Sequence, residues 1–492
     1  MMALDDDHCY QALLSRDRRF DGLFFTAVTT TGIYCRPVCP ARMPRRERCR
    51  FFAHAALAER EGFRPCLRCR PELAPGHTPI ESGNRLASQA ATRIAAGALS
   101  EGSIEDLAAE LGVSARHLRR TVEQEIGVPP VALAQTQRLL LAKRLLAEST
   151  MSLTDVAFAS GFASVRRFNA LFKERYGLTP GSLRRPTGMM AGANADCLSF
   201  TLAYRPPLDW RRLVDFLGMR GIPGVESLDG QVYRRTIRIG RHKGWLRAAP
   251  RDSASLRLDL APSLAPVVMQ VLNTARALFD LDARPALIEQ QFAADPILGP
   301  IVAEQSGLRV PGAVDGFELG LRAILGQQVS VKGATTLAGR FATIFGETLD
   351  TPIPELTRLA PTAESIVNAG VDAIAAIGLP RKRAETIAGF ARAFVDGRLK
   401  LRPGMDPAAA ISSLEALPGI GPWTAHYIAM RVLRWPDAFP HSDLALMKAL
   451  HVTRPAEALA MAEAWRPWRA YATLHLWHSL ALNSAPATGV PA

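Results

Sequence analysis

Hydrophobic spacing divides the chain into blocks of different period. Between about residue 85 and 185, apolar residues recur every three or four positions, as they do in helices with one buried face. In SIEDLAAELG, Leu107, Ala108 and Leu111 form one stripe, Ser103 and Asp106 make a capping-box pair before it, and Gly112 permits a turn. Ser114 then caps a second helix carrying Arg116, His117, Arg119 and Arg120. The same order returns in SLTDVAFASGFASVRRFNALF, with Gly161 at the turn, Ser164 as cap, and Arg166, Arg167 and Asn169 on the helix that follows. Between these two helix-turn-helix units, PPVALAQTQRLLLAKRLLAES predicts one long helix. From 198 to about 285, SFTLAYR, QVYRRTIRI and SLRLDLAP alternate with the two-residue period of strands, predicting a small sheet with helices. From about 286 to 480 helices dominate again, interrupted at GLPRKR and LPGIGPW. Residues 1 to about 80 show little helical periodicity. PELAPGHTP and LTPGSLRRPTGMMAGANAD break the pattern between blocks, and the tail SAPATGVPA reads as frayed.

At 492 residues the chain exceeds one domain several-fold. The expected fold is multidomain, mainly α with α+β parts, divided as 1–80, 85–186, 196–305 and 306–482. A hydrophobic content of 48% and 21% charged residues exclude disordered and collagenous classes. Lys plus Arg number 59 against 46 Asp plus Glu, and this excess of 13 favours a polyanionic partner. The start MMALDDDHCY lacks a secretory pattern, and charges, Gly or Pro interrupt every apolar run, so no membrane partner is expected. The reading is a cytoplasmic, nucleoid-associated monomer that binds double-stranded DNA.

Six of the seven cysteines fall in the first 70 residues. Cys35-Arg-Pro-Val-Cys39 and Cys66-Leu-Arg-Cys69 are two close pairs, and two such pairs complete the tetrahedral thiolate set that zinc prefers. The competing readings are free structural cysteines, or one zinc ion that only holds the fold. TTTGIYCRPVCPAR and GFRPCLRC closely resemble the N-terminal domain of the Ada-type adaptive-response regulators. That resemblance implies that Cys35 accepts a methyl group from a DNA phosphotriester, with Cys39, Cys66 and Cys69 as its zinc partners. A zinc-bound thiolate is nucleophilic without a neighbouring base. Methylation would reduce the centre's formal charge from −2 to −1 and so reduce repulsion of DNA phosphate. Between 34 and 70 there are ten arginines against three glutamates, and Arg36 and Arg64 are among the candidate phosphate clamps. The paired helix-turn-helix units resemble the AraC-type DNA-binding domain, which implies promoter DNA and RNA polymerase as partners.

Leu417-Pro418-Gly419-Ile420-Gly421 lies between helical segments, where Gly419 and Gly421 let backbone N–H groups approach a phosphate. About 20 residues later, Phe439-Pro440-His441-Ser442-Asp443 precedes another helix. By itself Asp443 reads as a helix N-cap. With GFELGLRAILGQQVSVKGA and WRPWRAYATLHLWHSLAL, these stretches resemble the helix-hairpin-helix glycosylases of the AlkA type, 3-methyladenine DNA glycosylase II, over about 198 to 480. The resemblance implies that Asp443 is the catalytic carboxylate, that Trp423, Tyr427 and Trp477 line a pocket for a cationic alkylated base, and that Gln328 occupies the duplex-wedge position. Each aromatic taken alone reads as core. Trp423 stands where lyase-active members carry a lysine, so base release without strand cleavage is expected. No cysteine follows Cys197, so neither an iron-sulfur cluster nor the second methyltransferase motif of Ada, Pro-Cys-His-Arg, is expected. The combined expectation is a methyl-activated transcription regulator that is also an alkylpurine glycosylase. The alternatives are a glycosylase merely tethered by the N-terminal modules, and a regulator with an inactive glycosylase part.

Overall fold

The computed structural model describes residues 5–76, 84–184 and 197–484. The predicted breaks at 77–79 and 185–196 and the tail beyond 484 lie outside the described residues. Among the described residues, no helix is long and apolar enough to cross a membrane.

The chain packs as two compact units that cut across the expected boundaries. The first takes Met1–Pro206, Val225–Ala283 and Thr348–Leu359, and the second Pro207–Gly224, Arg284–Glu347 and Ala360–Ala492. The expected 196–305 block is therefore shared. Its strands stay with the first unit, whereas the helix Trp210–Met219, inserted between two of those strands, belongs to the second.

In the first unit, the cysteine-rich segment builds a four-stranded sheet from β1 (Phe25–Val28), β2 (Ile33–Cys35), β3 (Cys49–Phe52) and β4 (Arg64–Pro65), in the order β3-β1-β2-β4. Helices Asp6–Ser15 and Ala55–Arg60 flank it, although helical periodicity was not evident there; each is short, and Ala55–Arg60 has only six residues in which to show a period. β2 and β4 pair in parallel, Ile33 opposite Arg64 and Tyr34 opposite Pro65. That register carries Cys35 and Cys66 to the same end of the sheet.

The helical block follows its local signals. Ser103 and Asp106 form the capping box of Ile104–Glu110, Ser114 caps Ala115–Ile126, and Ser164 caps Val165–Tyr176. Gly112 and Gly161 take positive φ at the two turns, +71° and +81°. The long helix is Pro130–Glu148. Strands β5 (Leu198–Ala203), β6 (Glu226–Asp229), β7 (Val232–Ile239), β8 (His242–Asp252) and β9 (Ser255–Leu260) form an antiparallel sheet, in the order β5-β9-β8-β7-β6.

One buried side chain joins the cysteine-rich segment to this sheet's surroundings. Arg205 is 1% exposed, and its guanidinium donates to the carbonyls of Asp21 (2.8 Å), Asp282 (2.7 Å), Gly76 (2.7 Å) and Pro75 (3.4 Å). Loss of that cation would leave several buried carbonyls unpaired. We predict that Arg205→Met lowers the first unit's stability by about 3 kcal/mol, a fall of about 6–10 °C in its transition temperature. Differential scanning calorimetry checks this, and an unchanged transition would show that the carbonyls find other partners.

Candidate functional site

The described residues hold two candidate centres, one in each unit. In the first, one ligand atom from each of Cys35, Cys39, Cys66 and Cys69 lies within 4.8 Å of the other three. Contact with the other three sulfurs, followed by burial, pushes the Cys35 thiol far up. Four thiolates this close would repel one another unless a cation lay among them, and four soft donors in one cluster suit zinc. Backbone N–H groups already point at the sulfurs, Arg36 N to Cys69 Sγ at 3.3 Å and Arg68 N to Cys66 Sγ at 3.4 Å. Cys39, Cys66 and Cys69 are buried, whereas Cys35 is partly exposed.

Arg36 departs from the expectation of a free phosphate clamp. Its side chain turns inward, pairing with the Asp21 carboxylate and donating to the Cys69 carbonyl at 3.1 Å. A guanidinium flanked by a buried carboxylate and a chain carbonyl serves the fold of the cysteine loops. Arg64 is half-exposed at the sheet edge, and Arg42, Arg45 and Arg48 are exposed. In the helix-turn-helix block, Arg116, His117, Arg166, Arg167 and Asn169 are all exposed on the helices that Ser114 and Ser164 cap.

The second centre surrounds Asp443. The hairpin runs from helix Pro407–Glu415 through Leu417–Gly421 to helix Pro422–Arg431. Gly419 has φ +85°, and a Cβ there would collide with Thr386; at Gly421 the space is open. Gln327, which motif reading passed over, ties the hairpin to its neighbour, its Nε2 donating to Gly419 O and Thr424 Oγ1 at 3.0 Å each. Gln328 beside it is exposed with φ +56°, at the apex of the turn.

Asp443 is indeed an N-cap, accepting from Leu446 N at 2.8 Å, and it does more than cap. Trp423 Nε1 donates to its Oδ2 at 2.8 Å, and Trp477 Nε1 to its Oδ1 at 2.9 Å. Three donors from three helices thus fix one carboxylate. The segment before it is held by His426, whose Nδ1 accepts from Phe439 N at 3.3 Å; burial pushes this imidazole down to about 4, so it is a neutral acceptor near pH 7. Trp423 stacks on Tyr427 with centroids 5.3 Å apart and planes 7° from parallel. The Tyr427 hydroxyl accepts from Arg431 Nη1 at 2.8 Å. Burial raises the Tyr427 pKa, but the charges of Arg431, Arg220 and Arg322 outweigh it, and the net shift is downward.

Phe216 and Arg220 also belong to this cluster and carried no motif. Phe216 lies 6.4 Å from Trp477 with planes 14° apart, and the Arg220 guanidinium sits 3.8 Å from the centre of the Phe216 ring. In sequence they are an apolar and a basic position of an ordinary amphipathic helix, over 200 residues from Asp443. Only helix capping and hairpin spacing were locally visible.

Known family patterns match in chain order. Metal binding domain of Ada covers residues 8–72, a helix-turn-helix domain 107–186, the AlkA N-terminal domain 199–315, and the HhH-GPD superfamily base excision DNA repair protein 321–470. The chain is 38% identical to a probable bifunctional transcriptional activator/DNA repair enzyme AlkA of Mycobacterium tuberculosis, over 97% of each chain. It is 37% identical to DNA-3-methyladenine glycosylase 2 of Escherichia coli, over 57% of this chain and 97% of the relative. It is 35% identical to the bifunctional transcriptional activator/DNA repair enzyme Ada of Escherichia coli, over 39% of this chain and 54% of the relative. Among solved structures, a 3-methyladenine DNA-glycosylase from Archaeoglobus fulgidus shares the fold, with a TM-score of 0.50 at 19% identity over 58% of this chain and all of that one. With four cysteine sulfurs gathered in its N-terminal part and a tryptophan-clamped aspartate beyond a hairpin in its C-terminal part, the chain belongs to the family of bifunctional transcriptional activator/DNA repair enzymes that join an Ada-type regulatory half to an AlkA-type glycosylase half.

Proposed function

We propose that this chain repairs methyl damage in DNA by two chemistries and uses one of them as a signal. The observation that carries the first is the exposure difference among the four cysteines. Bound among them, one Zn²⁺ ion would supply the positive charge that keeps the sulfurs as thiolates at neutral pH. Cys35, the partly exposed member, is the acceptor. Its sulfur lone pair attacks the methyl carbon of a methylphosphotriester, the C–S bond forms as the methyl C–O bond breaks, and the phosphodiester departs with the electron pair. Nothing in the site can remove a methyl from the thioether, so each molecule acts once. The loss of one negative charge then favours DNA binding. Arg64 contacts the damaged backbone, and Ser114, Arg116, His117, Ser164, Arg166, Arg167 and Asn169 contact promoter DNA, where the protein, as a monomer, recruits RNA polymerase. The functional parts are 1–80, 85–186, 196–305 and 306–482.

The second chemistry rests on the double tryptophan clamp on Asp443. An alkylated purine is already cationic, so it leaves without a general acid, and the developing oxocarbenium sugar needs a nearby negative charge. The two indole N–H donors hold Asp443 in one orientation for that task. Aromatic faces of Trp423, Tyr427 and Trp477 favour the cationic flipped base. Gly419 and Gly421 approach the DNA backbone, and Gln328 fills the space that the flipped base leaves. Trp423 offers no amine for a Schiff base, so the strand is left intact at the abasic site. The protein acts on the nucleoid in the cytoplasm.

Two substitutions separate the activities. Asp443→Asn is expected to slow release of 3-methyladenine about 10²- to 10³-fold in single-turnover assays while methyl uptake continues. Cys35→Ala is expected to abolish uptake from methylphosphotriester DNA, read by intact mass, while base release continues. Release by the first variant at the wild-type rate, or uptake by the second, contradicts the corresponding assignment.

Trp477→Phe keeps the aromatic surface and removes one donor to Asp443. Base release is expected to slow by about 10-fold, the value of a hydrogen bond to a charged group of about 1.5 kcal/mol. An unchanged rate would mean that Trp423 and Leu446 suffice to orient the carboxylate.

A further inference from the structure

The long helix Pro130–Glu148 joins the two helix-turn-helix units, yet one face of it is buried against the cysteine-rich segment. Thr136 and Lys143, two turns apart and therefore on one face, make the contacts. Thr136 Oγ1 donates to Glu59 Oε2 at 2.8 Å, and Glu59 Oε1 accepts from the hydroxyl of Tyr34, the residue before Cys35, at 3.0 Å. Lys143 Nζ donates to the carbonyl of Cys66 at 3.3 Å and to Glu72 Oε2 at 2.5 Å. Glu72 lies three residues past Cys69 and also accepts from Arg70 Nε at 3.0 Å, while Arg70 Nη1 reaches Glu148 at 3.0 Å and Glu148 accepts from Arg144 at 2.9 Å. The Lys143 and Glu72 side chains are 4% and 2% exposed.

A buried ammonium needs compensating negative charge. Lys143 has one carboxylate partner, balanced in part by Arg70, and beyond the Cys66 carbonyl lies the sulfur cluster. We propose that Lys143 is a coupling residue between the methyl-acceptor centre and the DNA-binding domain. With four thiolates around a dication, the centre carries a net −2 and holds Lys143 against the Cys66 carbonyl. Conversion of Cys35 to a thioether removes one negative charge, which weakens that hold and loosens the long helix that sets the separation of the two reading helices. Methylation then acts on DNA binding by two routes, less repulsion at the acceptor surface and a change in the helix that spaces the readers. This inference rests on Cys35 as the acceptor.

Hydrogen–deuterium exchange on the full-length, zinc-loaded protein tests it, before and after incubation with a methylphosphotriester oligonucleotide, with intact mass read on the same samples. Wild type is expected to gain one methyl and to show amide exchange over 139–148 about threefold faster or more. Lys143→Met is expected to gain the methyl with no change in exchange between its two states, and Lys143→Arg to restore the response. Glu72→Gln, which keeps the shape and removes the counter-charge, is expected to blunt it. A methylated wild type with unchanged exchange over 139–148 overturns the proposal even if no variant folds. So does a Lys143→Met protein that responds as wild type does. A wild type that gains no methyl overturns the acceptor reading and the coupling with it.

Discussion

Four sulfur atoms confined within 4.8 Å impose the constraint on which the N-terminal half depends. Thiolates that close repel one another, and a dication among them would offset that repulsion. The parallel pairing of β2 with β4 brings Cys35 and Cys66 to one end of the sheet. Buried charges then accumulate around the loops: Arg36 with Asp21, Lys143 with Glu72, Arg70 with Glu148. The cost of burying them is offset only in pairs, which makes the arrangement specific and sensitive to a change of one charge.

The glycosylase half solves the opposite problem. In the proposed reaction the single carboxylate of Asp443 would face a cation that exists only transiently, so it would have to be in place beforehand. One backbone N–H and two indole N–H groups do this from three helices. The same tryptophans carry the aromatic faces proposed to receive a cationic base, so both tasks would fall to shared side chains. On the proposed roles, a nucleophilic sulfur and a stabilising oxygen would serve one kind of lesion chemistry, methyl groups on phosphate and methyl groups on bases.

Local signals in the sequence marked most of what is local in the structure. The serine caps at 103, 114 and 164 and the turn glycines at 112 and 161 hold the positions that their spacing implied, the LPGIG stretch lies between two helices, and the two cysteine pairs come together. Asp443 was legible twice over, as a cap and by family motif, and it holds the cap position while meeting two tryptophans. Distant pairing was not legible. Arg36 reads as one more arginine in a basic run, and only the fold shows Asp21 waiting for it. Phe216 and Arg220 read as core and surface of a helix assigned to the sheet block, whereas that helix packs with the glycosylase unit. Lys143 carries no motif, and its partners lie more than 70 residues earlier.

The central claim, one polypeptide with two separate methyl-damage chemistries, is tested most directly by incubating the wild-type protein with a single duplex that carries both a methylphosphotriester and 3-methyladenine. Free base and intact protein mass are read from the same tube. The account predicts that each protein molecule gains one methyl group and stops, while free 3-methyladenine accumulates with an unbroken strand over many turnovers. Base release without any gain in mass, or a gain in mass without base release, would contradict it.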